Sequence, residues 1–230
     1  METWLTYSPQ DFLLFSERVY WRLFELHNAA LWPAQVPAVL AGLAVPVLLV
    51  RRFGLSGPVL AAILALAWAV VGMTFLPRYG EINWLAADLI PVFLAQAALL
   101  AVLGIPTRSL EARPGRERRW VGLALCLYGL VGLPLTALVG GRGVAGVEIF
   151  ALTPDPTAIV TLGALVAAGR GWRALALAIV PALWCAASWA TLATLGVVQA
   201  WAFLPVALGL GIAAWAARTD GRAADHSGAD

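Results

Sequence analysis

Hydrophobic and polar positions in this chain segregate on the scale of whole helices. Seven apolar runs, at about 32–50, 58–77, 84–104, 120–139, 156–172, 174–195 and 199–217, are separated by short polar breaks. Runs of this length predict membrane-spanning helices, because about 20 apolar residues cover a hydrocarbon core of about 30 Å. Residues 8–30 have a different pattern. Phe12, Phe15, Val19, Leu23 and Leu26 make one apolar stripe, with Asp11, Arg18, Arg22 and Glu25 on the other side. Such a helix lies in the interfacial plane, anchored by Trp4, Tyr7, Tyr20 and Trp21, or packs across the mouth of a bundle. The expected fold is an all-α membrane protein, a seven-helix transmembrane bundle preceded by an N-terminal interfacial amphipathic helix. Residues 1–31 form that helix, 32–217 the bundle and 218–230 a disordered cytoplasmic tail.

The fifth run differs from the rest. It opens on Thr153-Pro154-Asp155-Pro156 and is only 17 residues long from Pro156 to Trp172. That is roughly 25 Å of helix. Asp155 is expected as its N-cap and Pro156 at the first helical position, where a missing N–H costs nothing. A run this short places its opening turn below the membrane surface, where irregular backbone survives only if buried in protein or facing a wet cavity. A capped helix that tilts little is the simpler alternative.

Composition supports the membrane reading. The chain is 61% hydrophobic and 12% charged, about half the charge of a soluble domain. All fifteen basic residues are arginine, which removes lysine Schiff-base chemistry. Cys126 and Cys185 sit in apolar runs without redox or metal spacing, and His27 and His226 are too few and too separated for a histidine metal site. No cofactor is expected. Trp32, Trp84, Trp120, Trp172, Trp201 and Trp215 fall at run ends, as an interfacial belt requires, whereas Trp68, Trp184 and Trp189 are expected to pack inside.

Orientation follows from the arginines. Arg51, Arg52, Arg108, Arg113, Arg116, Arg118, Arg119, Arg170, Arg173, Arg218 and Arg222 fall on one side of a seven-span chain, eleven against the four of Arg18, Arg22, Arg78 and Arg142. The positive-inside rule then puts the N-terminus outside and the tail in the cytoplasm. A re-entrant fifth run would level the tally to seven against eight, so seven true spans are favoured.

With that topology the polar groups collect in the outer half. Asn28 and Gln35 flank the first span, Glu81, Asn83 and Asp88 the third, and Arg142 and Glu148 occupy the loop before Asp155, Thr157 and Thr161. Asp88 lies roughly 6 Å inside its run, where a carboxylate needs water or a partner. Arg142 is the nearest candidate cation, and Gln96 continues the Asp88 face. An outward-facing polar pocket is expected, with Asn28, Gln35, Asn83, Asp88, Gln96, Arg142, Asp155, Thr157 and Thr161 as candidate ligand-binding residues; helix-to-helix polar packing is the competing reading. No catalytic or metal-ligating residues are expected.

Several stretches resemble a bacterial multi-pass membrane family catalogued only as a domain of unknown function. Asn28-Ala29-Ala30-Leu31-Trp32-Pro33-Ala34-Gln35 is similar to its N-A-x-x-W-P-A-Q opening, and Ile82-Asn83 with Ala86 to its I-N-x-x-A segment. Pro154, Pro156, Thr157, Ile159, Thr161, Leu162 and Gly163 match its P-x-P-T-x-I-x-T-L-G motif, and Pro181 with Trp184 its P-x-x-W. Family members usually carry Cys between the prolines and Gly-His after the fourth span; this chain has Asp155 and Gly140-Gly141-Arg142. Any Cys–His chemistry of the family is therefore lost here. The resemblance implies a fold and a bacterial inner-membrane location, not an activity. Three classes remain: an accessory or assembly subunit of a membrane complex, using faces such as Gly163-x-x-x-Ala167 and Gly209-x-x-x-Ala213; a small-solute carrier; and, least favoured, an intramembrane enzyme. The expected partners are the lipid bilayer and other membrane subunits, not nucleic acid.

Overall fold

The computed structural model describes residues 15–51, 54–111 and 114–227, with side chains through residue 217. Among the described residues all regular structure is helical. Helix α1 (Glu17–Leu31) ends where Pro33 forces Trp32 into an extended conformation (φ −59°, ψ 131°). After a turn, α2 (Gln35–Arg51) leaves at 102° to α1. There follow α3 (Ser56–Gly80), the short α4 (Trp84–Asp88), α5 (Ile90–Leu99) running into a π-turn at Leu100–Gly104, and α6 (Arg116–Leu127), which passes through a π-turn into α7 (Leu133–Val139). A loop with one 3-10 turn leads to α8 (Pro154–Ala168), then α9 (Gly171–Thr194), a 3-10 turn at Val198–Phe203 and α10 (Leu204–Ser227).

Five of these segments are long and apolar enough to cross a membrane, and six if α1 and α2 count as one broken span. Helix α8 is apolar but short. Its fifteen residues, roughly 22 Å long, are all buried except Val166. It packs against α2, α3, α6, α9 and α10. A helix that is apolar on every side belongs inside a bundle, and α8 is the central post of this one.

Close approach to α6 makes that possible. A Cβ at Gly122 would lie 2.5 Å from both the Ala167 nitrogen and the Gly163 oxygen, and a Cβ at Gly163 would lie 2.7 Å from the Gly122 oxygen. Gly209 on α10 receives Leu125 of α6 in the same way. The small-residue faces expected to admit a partner helix are thus filled by the chain's own helices.

Three further expectations are corrected. The predicted stripe on α1 is only partly its buried face: Phe15 and Leu23 are buried, whereas Val19 and Leu26 are 43% and 50% exposed. The buried side is Tyr20, Trp21, Leu23, Phe24, His27 and Asn28, because α1 lays its aromatic edge on the C-terminal end of α3, where Tyr20 meets Tyr79 and Phe24 and His27 meet Phe75. Tyr20 and Trp21 are therefore core residues, not surface anchors; Phe12, Trp4 and Tyr7 lie outside the described residues. Trp189 is exposed, unlike Trp68 and Trp184, whereas the six run-end tryptophans are each at least 60% exposed. Finally, α10 continues to Ser227 instead of ending at 217.

Candidate functional site: a buried carboxyl pair under a helical cap

The site is built at the N-terminus of α8. The first turn of a helix leaves free N–H groups that need acceptors. Here Pro154 and Pro156 have none to offer, so the turn needs little capping. Thr153, not Asp155, is the N-cap residue, with Pro154 at the first helical position. The Thr153 hydroxyl is engaged elsewhere: it accepts from the Ile149 N–H (2.9 Å) and donates to the Ile149 carbonyl (3.1 Å), closing the preceding loop. The helix ends at Ala168 instead of Trp172, since Gly169 and Arg170 are extended.

Relieved of capping, the Asp155 carboxylate turns into the bundle, where it is 3% exposed. It accepts from Trp184 Nε1 at 2.6 Å and from Ser188 Oγ at 2.8 Å. Trp184 and Ser188 are one helical turn apart on α9 and so share a face. The Tyr20 and Tyr79 rings lie within electrostatic range of the same carboxylate.

Glu148, in the α7–α8 loop, faces Asp155. The Glu148 Oε2 is buried without a hydrogen-bond partner, beside the equally buried Asp155 carboxyl. Two ionised carboxylates at such a site repel, which favours keeping a proton on one of them. Burial and the facing Asp155 carboxyl push the Glu148 carboxyl up to about 8, against the opposing pull of Arg142. The Arg142 guanidinium donates to Glu148 Oε1 at 3.3 and 3.4 Å and to Thr136 Oγ1 at 3.4 Å. Its carbon sits 3.7 Å above the Trp21 ring, a cation–π contact. The Arg142 and Glu148 side chains are only 6% and 4% exposed. One guanidinium against two carboxyls is neutral only while one carboxyl keeps its proton, which a low-dielectric interior favours.

Helix α1 holds this loop down. His27 Nε2 pairs with the Leu152 carbonyl at 2.9 Å. Asn28 Nδ2 donates to the Ala145 and Val147 carbonyls, both at 2.8 Å. Gln35 Nε2 donates to the Asn28 carbonyl at 2.7 Å, satisfying one of the free acceptors at the end of α1. Below, the Thr157 hydroxyl accepts from the Ala151 N–H at 2.9 Å, fixing Ala151 in a left-handed conformation (φ 64°). Thr161 Oγ1 accepts from Trp68 Nε1 at 3.0 Å and donates to the Thr157 carbonyl at 2.7 Å.

The candidate residues therefore divide. Asn28, Gln35, Arg142, Asp155 and Thr157 meet at or beside one buried cluster, with Thr161 one turn below. Asn83 touches its edge through the Tyr79 hydroxyl, at 3.5 Å. Asp88 does not join: it ends the short helix α4 and is exposed, because the chain breaks at Leu89 before α5 begins. Arg142 is paired with Glu148 instead of Asp88. Gln96 is fully buried, so it does not continue the Asp88 face; its Nε2 donates to the Leu177 carbonyl of α9 at 2.8 Å. The Thr-Pro-Asp-Pro turn sits inside the bundle, not at the rim of an open pocket.

Sequence reasoning missed Glu148, Trp184, Ser188 and His27 as members of the site. Trp184 and Ser188 did carry a signal. An indole N–H deep in an apolar helix needs an acceptor, and a hydroxyl four residues on points to the same side. Glu148 is legible as an acid in the loop with Arg142 but not as a partner of Asp155, and nothing local marks His27; both roles depend on a loop folding back under α1. An open groove of about 730 Å³ comes close to the cluster, lined by Thr136, Val139, Gly140, Val198 and Gln199. Thr136 belongs both to its wall and to the hydrogen bonds of Arg142.

No curated protein and no solved structure matches the chain. Residues 17–224, which take in every member of the cluster, match a family described as Family of unknown function (DUF6064), and the chain belongs to that family.

Proposed function

We propose that the protein is a multi-pass protein of the bacterial inner membrane, with all seven apolar segments crossing the bilayer and lipid as its immediate partner. In this reading α1 lies over the outer mouth, the N-terminus is outside and the C-terminus is cytoplasmic. The exposed run-end tryptophans and the arginine bias support it.

The function the geometry supports best is that of a proton-linked small-solute carrier. The observation behind it is the Arg142–Glu148–Asp155 cluster. Ionisable groups buried together in a helical bundle are costly, and they recur where protons are bound and released. Here the Glu148 carboxyl, pushed up to about 8 by burial and the facing Asp155 carboxyl, keeps its proton at neutral pH; α1 closes the site from above and the Thr136 hydroxyl stands between it and an open groove. Losing that proton would leave the cluster with a net negative charge, which favours opening to water. Uptake and release are thereby tied to movement of the α1 cap, the coupling a carrier needs.

The test is a pH jump on proteoliposomes adsorbed to a solid-supported membrane. The wild type is expected to give a transient proton-binding current centred near pH 8, and Glu148→Gln and Asp155→Asn to remove it. A wild-type trace equal to that of empty liposomes sinks the proposal.

The alternative, an accessory or assembly subunit, is favoured by a different observation. An apolar groove of about 440 Å³ between α9 and α10 is lined by small residues, Ala182, Ala186 and Ala207, beside Trp189 and Trp201. Small side chains of this kind let another helix approach closely. A stable stoichiometric partner after purification in mild detergent would favour this reading over the carrier.

A further inference from the structure

A second constellation lies at the opposite end of the bundle from the carboxyl pair, around the connection between α8 and α9. A pocket of about 380 Å³ is lined by Arg108 from the α5–α6 connection and by Arg170 and Arg173 at the start of α9, three arginines against the single carboxylate of Glu111. A second pocket, of about 620 Å³, shares Arg170, Gly171 and Trp172 with the first and adds Arg118 of α6. Its remaining wall is apolar, including Leu175 and Ala217. Four arginines from three parts of the chain therefore surround one short connection, with an apolar strip running away from it.

Charge alone would be ordinary topogenic bias, but three features go beyond that. Arg108 is held in the left-handed region at φ 50°, uncommon for a residue with a Cβ. Strain of this kind persists where surrounding structure imposes it and clusters at ligand clamps. Arg173 has a buried Nε with no hydrogen-bond partner, while its guanidinium stands 5.4 Å from the Trp172 ring. Among the described residues the pocket's one carboxylate, Glu111, lies 3.7 Å from Arg108, and no ion pair reaches Arg170 or Arg173. Guanidinium groups in this density fit a phosphate, whose oxygens accept paired N–H donors.

We infer that the Arg108–Arg170–Arg173 pocket binds a phosphate-bearing anion, and that the adjoining apolar strip makes its source the headgroup of an anionic phospholipid. The headgroup phosphate occupies the arginine pocket, and an acyl chain runs along Leu175 and Ala217 beside the exposed Trp172. Free phosphate uses the first pocket but not the strip. The inference does not depend on the carboxyl pair.

Native mass spectrometry of the full chain in detergent tests it, with phosphatidylglycerol, phosphatidylcholine and inorganic phosphate as probes. Phosphatidylglycerol adducts are expected to survive activation that strips phosphatidylcholine. Arg170→Gln/Arg173→Gln is expected to weaken phosphatidylglycerol binding by about ten-fold or more, from about 1 kcal/mol per arginine. Arg22→Gln, on exposed α1, is expected to leave it unchanged. Arg108→Gln, on a separate connection, repeats the test should the double variant fold poorly. Displacement of phosphatidylglycerol by excess inorganic phosphate, with a matching rise in wild-type thermal stability, would support the anion site and identify free phosphate as its source. Equal retention of the two lipids by the wild type, or wild-type binding in Arg108→Gln and the double variant, overturns the inference.

Discussion

Glu148 and Asp155 are two buried carboxyls beside a single cation, Arg142, and that sets how the protein responds to pH. In an unfolded chain the Glu148 carboxyl titrates near 4.5; in the folded protein burial and Asp155 push it up to about 8. Between those values the native state holds a proton that the unfolded state has released. Stability from this group is therefore full below about pH 4.5, falls as pH rises towards about 8, and is lost above that. Thermal unfolding in detergent across this range should show the melting temperature declining with increasing pH. Glu148→Gln, which carries no titrating proton there, should flatten the decline; a melting temperature that rises with pH in the wild type would contradict the raised Glu148 carboxyl. At this scale the sequence was legible only in part. Asp155 stood out because an acid between two prolines opens an apolar run. Its actual partners did not, because Trp184 and Ser188 are about thirty positions away and Asp155 was assigned a local capping role. The two prolines that suggested capping are what make capping unnecessary.

Helices were far more legible than side-chain partners. Apolar run length is a property of the sequence alone, so α3 and the segments at 84–104, 116–139 and 171–194 fall within a few residues of their predicted limits. What run length does not carry is which helix is central. Helix α8 reads as a short span beside others, yet it is the one the rest surround, and its glycine faces α6 within this chain instead of facing a partner. That arrangement has a measurable cost. A methyl group at Gly122 would fall 2.5 Å from backbone atoms of α8, and one at Gly163 would fall 2.7–2.8 Å from backbone and sulfur atoms of α6. Backbone cannot rotate away as a side chain can, so Gly122→Ala and Gly163→Ala should each destabilise by about 1–3 kcal/mol, the usual cost of overpacking. Gly211→Ala, on α10 with open space around it, should be neutral or slightly stabilising, within about 0.5 kcal/mol. Denaturant or thermal unfolding of the three variants side by side distinguishes these outcomes. Equal stability of all three would mean that the α6–α8 crossing is looser than the structure has it.

At the scale of the whole molecule the two candidate sites sit at opposite ends of the bundle, and the proposed orientation has those ends face different compartments. The carboxyl pair lies with the α7–α8 loop, and the arginine pocket with the α8–α9 connection, so α8 separates them along its length. The orientation argument from arginine counts depends on α8 being a true crossing, since a re-entrant α8 would place both loops on one face. Cys126 and Cys185 are both buried, so single cysteines can be added to the natural chain without replacing its own. Val144, Val198, Thr107 and Arg170 are exposed positions, two at each end. A membrane-impermeant maleimide applied to intact cells is expected to label Val144→Cys and Val198→Cys, and to reach Thr107→Cys and Arg170→Cys only after the membrane is opened. Labelling of Val144→Cys and Arg170→Cys from the same side would show that α8 does not cross. It would also remove the separation of compartments that the proposed orientation assigns to the two sites. Labelling of Thr107→Cys and Arg170→Cys alone in intact cells would keep the fold and invert it, bringing the carboxyl pair to the cytoplasmic side.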